Sequence, residues 1–184
     1  EGALGFASAG AFATLYRDLI VYEAGSFQRL KPFNDGKALA RGVELEVGSV
    51  PIRSLLGLAV GVSYTLLASE NLRGAQDELG RDLPYRPRHR LFARLAMGGD
   101  PAGAHLEATY VGLQFQDSRN LQPIPAALSF NAGGFVRLAS SPEVRLSLEV
   151  KNVLDDLSLQ NGFGYPLPGR MVLLTARAGS SPGG

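Results

Sequence analysis

The sequence predicts an all-β fold, an antiparallel meander of about nine long strands. Three observations lead there. The first is alternation: Val144, Leu146, Leu148 and Val150 share one parity, and Arg145, Ser147, Glu149 and Lys151 share the other. Successive strand side chains point to opposite faces, so such a segment has one apolar and one ionic face. The second is length. Most segments run roughly 10 to 16 residues, beyond the ~5–6 of an ordinary globular strand and enough for the ~9–11 of a tilted strand crossing hydrocarbon. The third is that short and long connections alternate along the chain, as in membrane barrels with turns on one side and loops on the other. A soluble sheet buries its apolar face in a core, whereas a membrane barrel turns it to lipid.

The elements follow in order. The first two strands, 5–17 and 19–30, flank a short connection at Arg17-Asp18. Strand 37–48 carries Glu44 and Glu46 on its polar parity. Strand 54–68 sets Leu56, Leu58, Val60, Val62 and Tyr64 against Gly57, Ala59, Gly61, Ser63 and Thr65. Strands 87–98 and 103–116 form a hairpin around Asp100-Pro101, and antiparallel pairing there places Glu107 near Arg94, beside His105 and Arg90. On a lipid face an unpaired Arg would cost about 2–4 kcal/mol at mid-bilayer, so this parity belongs to the lumen. In 103–116 the apolar parity changes after Tyr110, to Val111, Leu113 and Phe115, which requires a bulge or emergence from the membrane. Strands 127–139, 143–153 and 169–178 complete the meander, the last being apolar on both parities from Met171 to Leu174. The short connections are 17–18, 49–53, 98–103 and 140–143, and the long ones 24–37, 69–86, 117–126 and 155–168. Nine strands with the last end periplasmic require the first strand to begin on the long-loop side. Tyr64, Tyr85, Phe115, Phe163 and Tyr165 then fall toward the outside and Tyr16 toward the inside, at depths where aromatic belts form.

Composition excludes several function classes. The 184 residues carry a net charge of +1, so no polybasic surface selects nucleic acid. There is no cysteine, hence no disulfide, thiolate metal site or cysteine nucleophile. No apolar run reaches the ~18 residues of a membrane-spanning helix, and Glu1-Gly2-Ala3-Leu4 lacks the features of a signal peptide. The 23 glycines fit an all-β chain. No Gly-x-Ser-x-Gly, His-Glu-x-x-His, phosphate loop or dinucleotide fingerprint occurs, so no enzyme activity, metal site or cofactor is expected. His89 and His105 read as structural strand residues. Asp77, Glu78 and Asp82 lack the spacing of a calcium hand and read as a solvated acidic loop. Asn152 and Asp155 read as securing a strand end, since the adjacent acids Asp155 and Asp156 are not a facing glycosidase pair.

Five segments carry a family resemblance. They are Ala40-Arg41-Gly42-Val43-Glu44-Leu45-Glu46, Tyr64-Thr65-Leu66-Leu67, Leu83-Pro84-Tyr85-Arg86-Pro87-Arg88-His89-Arg90, Val150-Lys151-Asn152-Val153-Leu154-Asp155, and Gly164-Tyr165-Pro166-Leu167-Pro168-Gly169-Arg170. In this order they resemble the C-terminal barrel of TonB-dependent outer-membrane receptors. Ala68-Ser69 departs from the family's acidic position, and the tail Gly179-Ser180-Ser181-Pro182-Gly183-Gly184 replaces its terminal aromatic residue. The resemblance implies residues 1–178 as the C-terminal segment of a transmembrane barrel of about 22 strands, with 179–184 a flexible tail. It implies the outer membrane of a Gram-negative bacterium and a periplasmic C-terminus. The N-terminal plug, through which the TonB energy-coupling complex acts, would lie upstream.

The implied function is active uptake of a scarce nutrient, such as a ferric siderophore or corrinoid, with outer-membrane lipid and a small-molecule or metal-chelate ligand as partners. Ligand contact falls to the extracellular loops, since loops carry recognition on a rigid frame. The candidates in 69–86 are Asn71, Arg73, Gln76, Asp77, Arg81 and Tyr85, and in 117–126 Arg119, Asn120 and Gln122. Arg holds anionic chelates through directed hydrogen bonds; the plainer reading of each is a solvated loop residue. Two other classes stay open: a small structural or adhesive outer-membrane barrel, and a soluble β-sheet binding domain or enzyme.

Overall fold

The computed structural model describes residues 5–24, 30–158 and 165–179. Ten strands follow in chain order: β1 Gly5–Ala24, β2 Leu30–Ser49, β3 Ala59–Arg73, β4 His89–Gly98, β5 Ala102–Val111, β6 Gln114–Phe115, β7 Pro123–Ile124, β8 Ala127–Ser140, β9 Glu143–Lys151 and β10 Met171–Gly179. Eight of them form one antiparallel sheet in the order β1-β2-β3-β4-β5-β8-β9-β10, and β6-β7 is a separate small hairpin. Each long strand therefore pairs with the long strands next to it in sequence, the meander expected from the hairpin lengths. A 3-10 turn at Arg53–Leu55 is the only helical element among the described residues.

The register resolves the two faces. Paired residues share a face, so one row runs Val60, Leu95, Leu106, Ala132, Val150 and Val172 across six strands. The next rows on that face hold Val47, Val62, Ala93, Ala108 and Phe130, then Leu45, Tyr64, Leu91, Tyr110 and Leu128. On the opposite face, the intervening rows hold Glu46, Ser63, Phe92, Thr109 and Ser129, and Arg94, Glu107 and Asn131. Arg94 Nη1 meets Glu107 Oε1 at 2.6 Å, the cross-strand pair anticipated from the hairpin.

The apolar face has no core to enter. Among the described residues the buried apolar side chains are Ala38, Ala40, Pro87 and Ile124, while Leu148 is 47% and Leu174 75% exposed. A row of exposed leucines on this scale is unsuited to water and fits a lipid-facing wall.

Close approach explains two glycines on the polar face. Glu149 reaches over Gly133 to put Oε2 3.3 Å from His105 Nε2, and a Cβ on Gly133 would collide with that carboxylate. The Phe6 ring likewise lies over Gly48, covering backbone that has no side chain of its own.

Several sequence expectations are corrected. The segments 5–17 and 19–24 are one strand, β1, and Leu30 already belongs to β2. Arg17-Asp18 is an irregularity with register shifts between Tyr16 and Leu19 and between Leu19 and Ile20. A two-residue hairpin turn of the favoured kind needs positive φ at both central positions or glycine at the first. Only Asp18 is left-handed, at φ 57°, so the backbone forms a bulge and continues. One strand fewer reverses the start: Gly5 pairs with Ser49, so the chain begins on the short-turn side, and Tyr16, opposite Ala38, lies toward the long-loop end.

The expected loop 24–37 is mostly strand, with 25–29 outside the described residues. Leu56 and Leu58 are not strand residues. Leu56 sits at φ 56° after the 3-10 turn, and Leu58 bridges Ile52. The parity change after Tyr110 is the end of a strand: β5 stops at Val111, and Phe115 belongs to the small hairpin. Phe163, Gly164 and the tail 180–184 lie outside the described residues.

Candidate functional site

The two long loops at one end of the sheet, 74–88 and 112–126, are joined to each other. The joint is built from Asn120. Its φ of 60° is the left-handed conformation that asparagine tolerates better than most residues. From there Oδ1 accepts from the Asp82 backbone N–H at 2.9 Å, and Nδ2 donates to the Asp82 carbonyl at 2.9 Å. One side-chain amide thus satisfies both backbone groups of a residue on the other loop.

Further bonds extend the joint. Ser118 Oγ donates to Glu78 Oε1 at 2.6 Å, Tyr85 N–H donates to the Phe115 carbonyl at 2.8 Å, and Arg119 Nε lies 3.4 Å from Asp77 Oδ2. The last pair is 58% and 56% exposed, so it contributes little by itself. Asp82 also holds Arg88 through two oxygens, Nε–Oδ2 at 3.1 Å and Nη2–Oδ1 at 3.2 Å.

Asp117 organises the second loop. Its carboxylate accepts from the backbone N–H groups of Gln122 at 2.7 Å, Arg119 at 3.1 Å and Leu121 at 3.2 Å. Desolvation is the largest single influence on its pKa and raises it, but the N–H groups of Gln122, Leu121 and Arg119 together outweigh that and hold the carboxyl below its usual 3.8. A depressed carboxyl contributes stability that is present above the unfolded pKa and lost as pH falls through the folded value. Protection of the amides of 117–122, taken against the intrinsic exchange rate at each pH, should therefore be unchanged from neutral pH down to the ordinary aspartate range and fall only below it. A loss of protection already at pH 6 would show that Asp117 does not hold this turn.

The loops fold toward the polar face. Leu83 N–H donates to Ser69 Oγ at 3.3 Å, and the buried Ser69, Ala40 and Ala38 all stand on polar-face rows at this end. The structure thus brings Asp77, Tyr85, Arg119 and Asn120 into one composite surface. Asn71 serves through its backbone, donating to the Arg81 carbonyl and accepting from Gly80 N–H, both at 2.9 Å. Gln122 likewise acts through its main chain. Gln76 and Arg81 are exposed on the loop surface, and Arg73 ends β3 opposite Lys37.

Sequence reasoning missed Asp82, Asp117 and Ser118. Glu78 and Asp82 are not solvated acids but loop-bracing groups. The spacing Asp117-x-x-Asn120 in a stretch rich in turn formers was the available signal.

The two histidines and the Asn152 turn have structural settings. Tyr64 Oη lies 2.8 Å from His89 Nδ1, with the rings stacked at 6.2 Å. Asn152 Nδ2 donates to the Asp156 carbonyl and its Oδ1 accepts from Asp156 N–H, both at 3.0 Å, while Asp155 Oδ1 accepts from Arg170 N–H at 2.7 Å. These bonds close the β9–β10 connection, the role anticipated for Asn152 and Asp155.

Comparison with known proteins completes the picture. No curated protein matches in sequence. Among solved structures, the unliganded ferric citrate transporter FecA superposes with a TM-score of 0.78 at 17% identity, over 94% of this chain and 28% of that one. The ferric yersiniabactin uptake receptor FyuA from Yersinia pestis gives 0.76 at 22% identity, over 97% and 28%. The copper transporter OprC gives 0.70 at 19%, over 94% and 28%. The chain therefore has the fold of a little over a quarter of each of these proteins. Residues 1–153 match the family described as TonB dependent receptor-like, beta-barrel. With the register, the coreless apolar face and that match together, the chain belongs to the TonB-dependent receptor β-barrel family.

Proposed function

We propose that the chain is the C-terminal wall of an outer-membrane receptor that takes up a scarce nutrient, and that its paired loops contribute to the ligand site. The observation that carries this is the apolar face: consecutive rows of leucine, valine and aromatic side chains with no core behind them. In a barrel of about 22 strands this face meets lipid and the polar face lines the lumen. The short turns at 49–59, 98–102 and 140–143 then lie in the periplasm with the end of β10. The loops 74–88 and 112–126 lie outside the cell. Asn71, Arg73, Gln76, Asp77, Arg81, Tyr85, Arg119, Asn120 and Gln122 are the proposed contact set, and ferric siderophores or corrinoids the proposed ligand classes. Energy would come from the TonB complex through an N-terminal plug.

The test is uptake by the full-length protein in a Gram-negative strain lacking its own siderophore and corrinoid receptors, with and without TonB. Growth on one supplied ferric siderophore or corrinoid, abolished without TonB, is the expected result. An assembled protein that supports growth on none of them would favour a structural or adhesive barrel.

A further inference from the structure

The apolar parity stops being apolar beyond its tyrosine row. Toward the long loops, the row after Leu45, Tyr64 and Leu91 holds Val43, Leu66 and His89. The next holds Arg41 and Ala68, and the third Leu39 and Glu70. Successive rows lie about 7 Å apart along a strand, so a strand tilted by about 45° rises ~5 Å per row. The headgroup layer is about 5–8 Å thick on each side of the hydrocarbon. With the tyrosine row at its inner boundary, His89 stands at headgroup depth. Arg41 stands near the outer border of that layer and Glu70 one row farther out, both with side chains long enough to reach back. All three border one cavity of about 320 Å³, together with Leu66, Asp82 and Arg88.

The charges around this cavity are unevenly answered. Asp82 and Arg88 hold each other. The Tyr64 hydroxyl lies 2.8 Å from His89 Nδ1; with the hydroxyl donating, Nε2 carries the ring proton and is left as a donor. Arg41 and Glu70 have no ionic or hydrogen-bonded partner among the described residues, each other included. A simple anion would answer Arg41 and be repelled by Glu70, and a simple cation the reverse. A zwitterion answers both, and the order of the rows fixes its orientation: negative group nearer the membrane, positive group farther out. A phosphoethanolamine headgroup has that order, with the phosphate next to the lipid body and a primary ammonium two carbons beyond. A trimethylammonium is held by aromatic cages and donates no hydrogen bond, and apart from His89 no aromatic ring borders this cavity. We propose that Arg41, His89 and Glu70 seat the phosphoethanolamine headgroup of a membrane lipid on the outer wall, with Arg41 and His89 on the phosphate and Glu70 on the ammonium. This rests on the lipid-facing reading of the apolar face.

The experiment uses the full-length protein in nanodiscs of equimolar phosphatidylethanolamine, phosphatidylglycerol and phosphatidylcholine. The probe is p-benzoylphenylalanine at Val43, which stands one row below Arg41 on the same face and opposite Leu66. After irradiation, mass spectrometry identifies the crosslinked lipids. The expected result is phosphatidylethanolamine enriched over its share of the bilayer. Glu70→Gln should shift that enrichment to phosphatidylglycerol, because the phosphate is still held and the ammonium is not. Arg41→Gln should remove it, and the conservative Arg41→Lys/Glu70→Asp should keep it. Heat-modifiable gel mobility confirms assembly, and Glu70→Gln alone decides if Arg41→Gln does not assemble. Lipids crosslinked in proportion to the bilayer, phosphatidylglycerol favoured by the unchanged protein, or an enrichment indifferent to Glu70→Gln overturns the proposal while leaving the face assignment intact. No lipid crosslink at all would overturn the face assignment with it.

Discussion

Leu106→Arg will largely abolish assembled protein in the outer membrane. Leu106 lies in the middle of five consecutive apolar rows. Two rows on one side hold Ala108 and Phe130, then Tyr110 and Leu128; two on the other hold Ala104 and Leu148, then Val136 and Leu146. Five rows cover about 27 Å along a strand, close to the ~25 Å apolar band of a membrane barrel, with the tyrosines at one rim. An Arg at the centre of that band costs about 2–4 kcal/mol, or roughly thirty- to several-hundred-fold in the folded fraction. Thr109→Arg is the control. Thr109 shares its row with Ser63, Phe92 and Ser129 on the polar face, where a guanidinium keeps its water, and assembly should hold. The heat-modifiable fraction of membrane-extracted protein measures both. Equal losses in the two variants would mean that the faces are not distinguished by lipid.

Asn120→Ala will loosen two loops at once. The substitution leaves the Asp82 N–H and carbonyl without their partners, a loss of about 1–3 kcal/mol where those groups stay sheltered from water. Amide exchange should therefore rise together in 74–88 and 112–126, and ligand affinity should fall with it. An increase confined to 112–126 would show that the amide does not couple the loops. The same joint changes what a deletion reports. Removing about residues 71–82 takes away Asp77, Glu78 and Asp82, the partners of Arg119, Ser118 and Asn120. It also takes Asn71 and Arg73 from their pairing with Ala38 and Lys37. A deletion there therefore tests both loops as one surface, and its effect on affinity cannot be assigned to 69–86 alone.

Most of the sheet was legible because its information is local. Alternation in 143–153 and the hairpin around Asp100-Pro101 depend on neighbours a few residues apart, and the Arg94–Glu107 contact follows from them directly. The bulge at Asp18 was not legible as such. A turn and a bulge both begin with one residue leaving the ladder, and only the partner strand β2, running without a break to Ser49, decides between them. That one element carried the orientation of the chain start and the depth of Tyr16. The loop joint was hidden for a different reason. Asn120 and Asp82 are 38 residues apart, and nothing in either loop alone indicates that the other supplies its hydrogen bonds. The candidate residues were found by polarity. Their division into surface groups, such as Gln76 and Arg81, and bracing groups, such as Asn120, depends on packing between loops.

Single-cysteine labelling of the full-length protein in native outer membranes tests the central claim most directly, that the apolar parity meets lipid and the polar parity meets an aqueous lumen. Residues Arg145, Leu146, Leu148 and Glu149 of β9 are replaced by cysteine one at a time and exposed to a membrane-impermeant maleimide or to a lipid-soluble one. The account predicts lipid-phase labelling at 146 and 148 and aqueous labelling, or protection by a lumenal occupant, at 145 and 149. Aqueous labelling at 146 and 148 with lipid-phase labelling at 145 and 149 would contradict it.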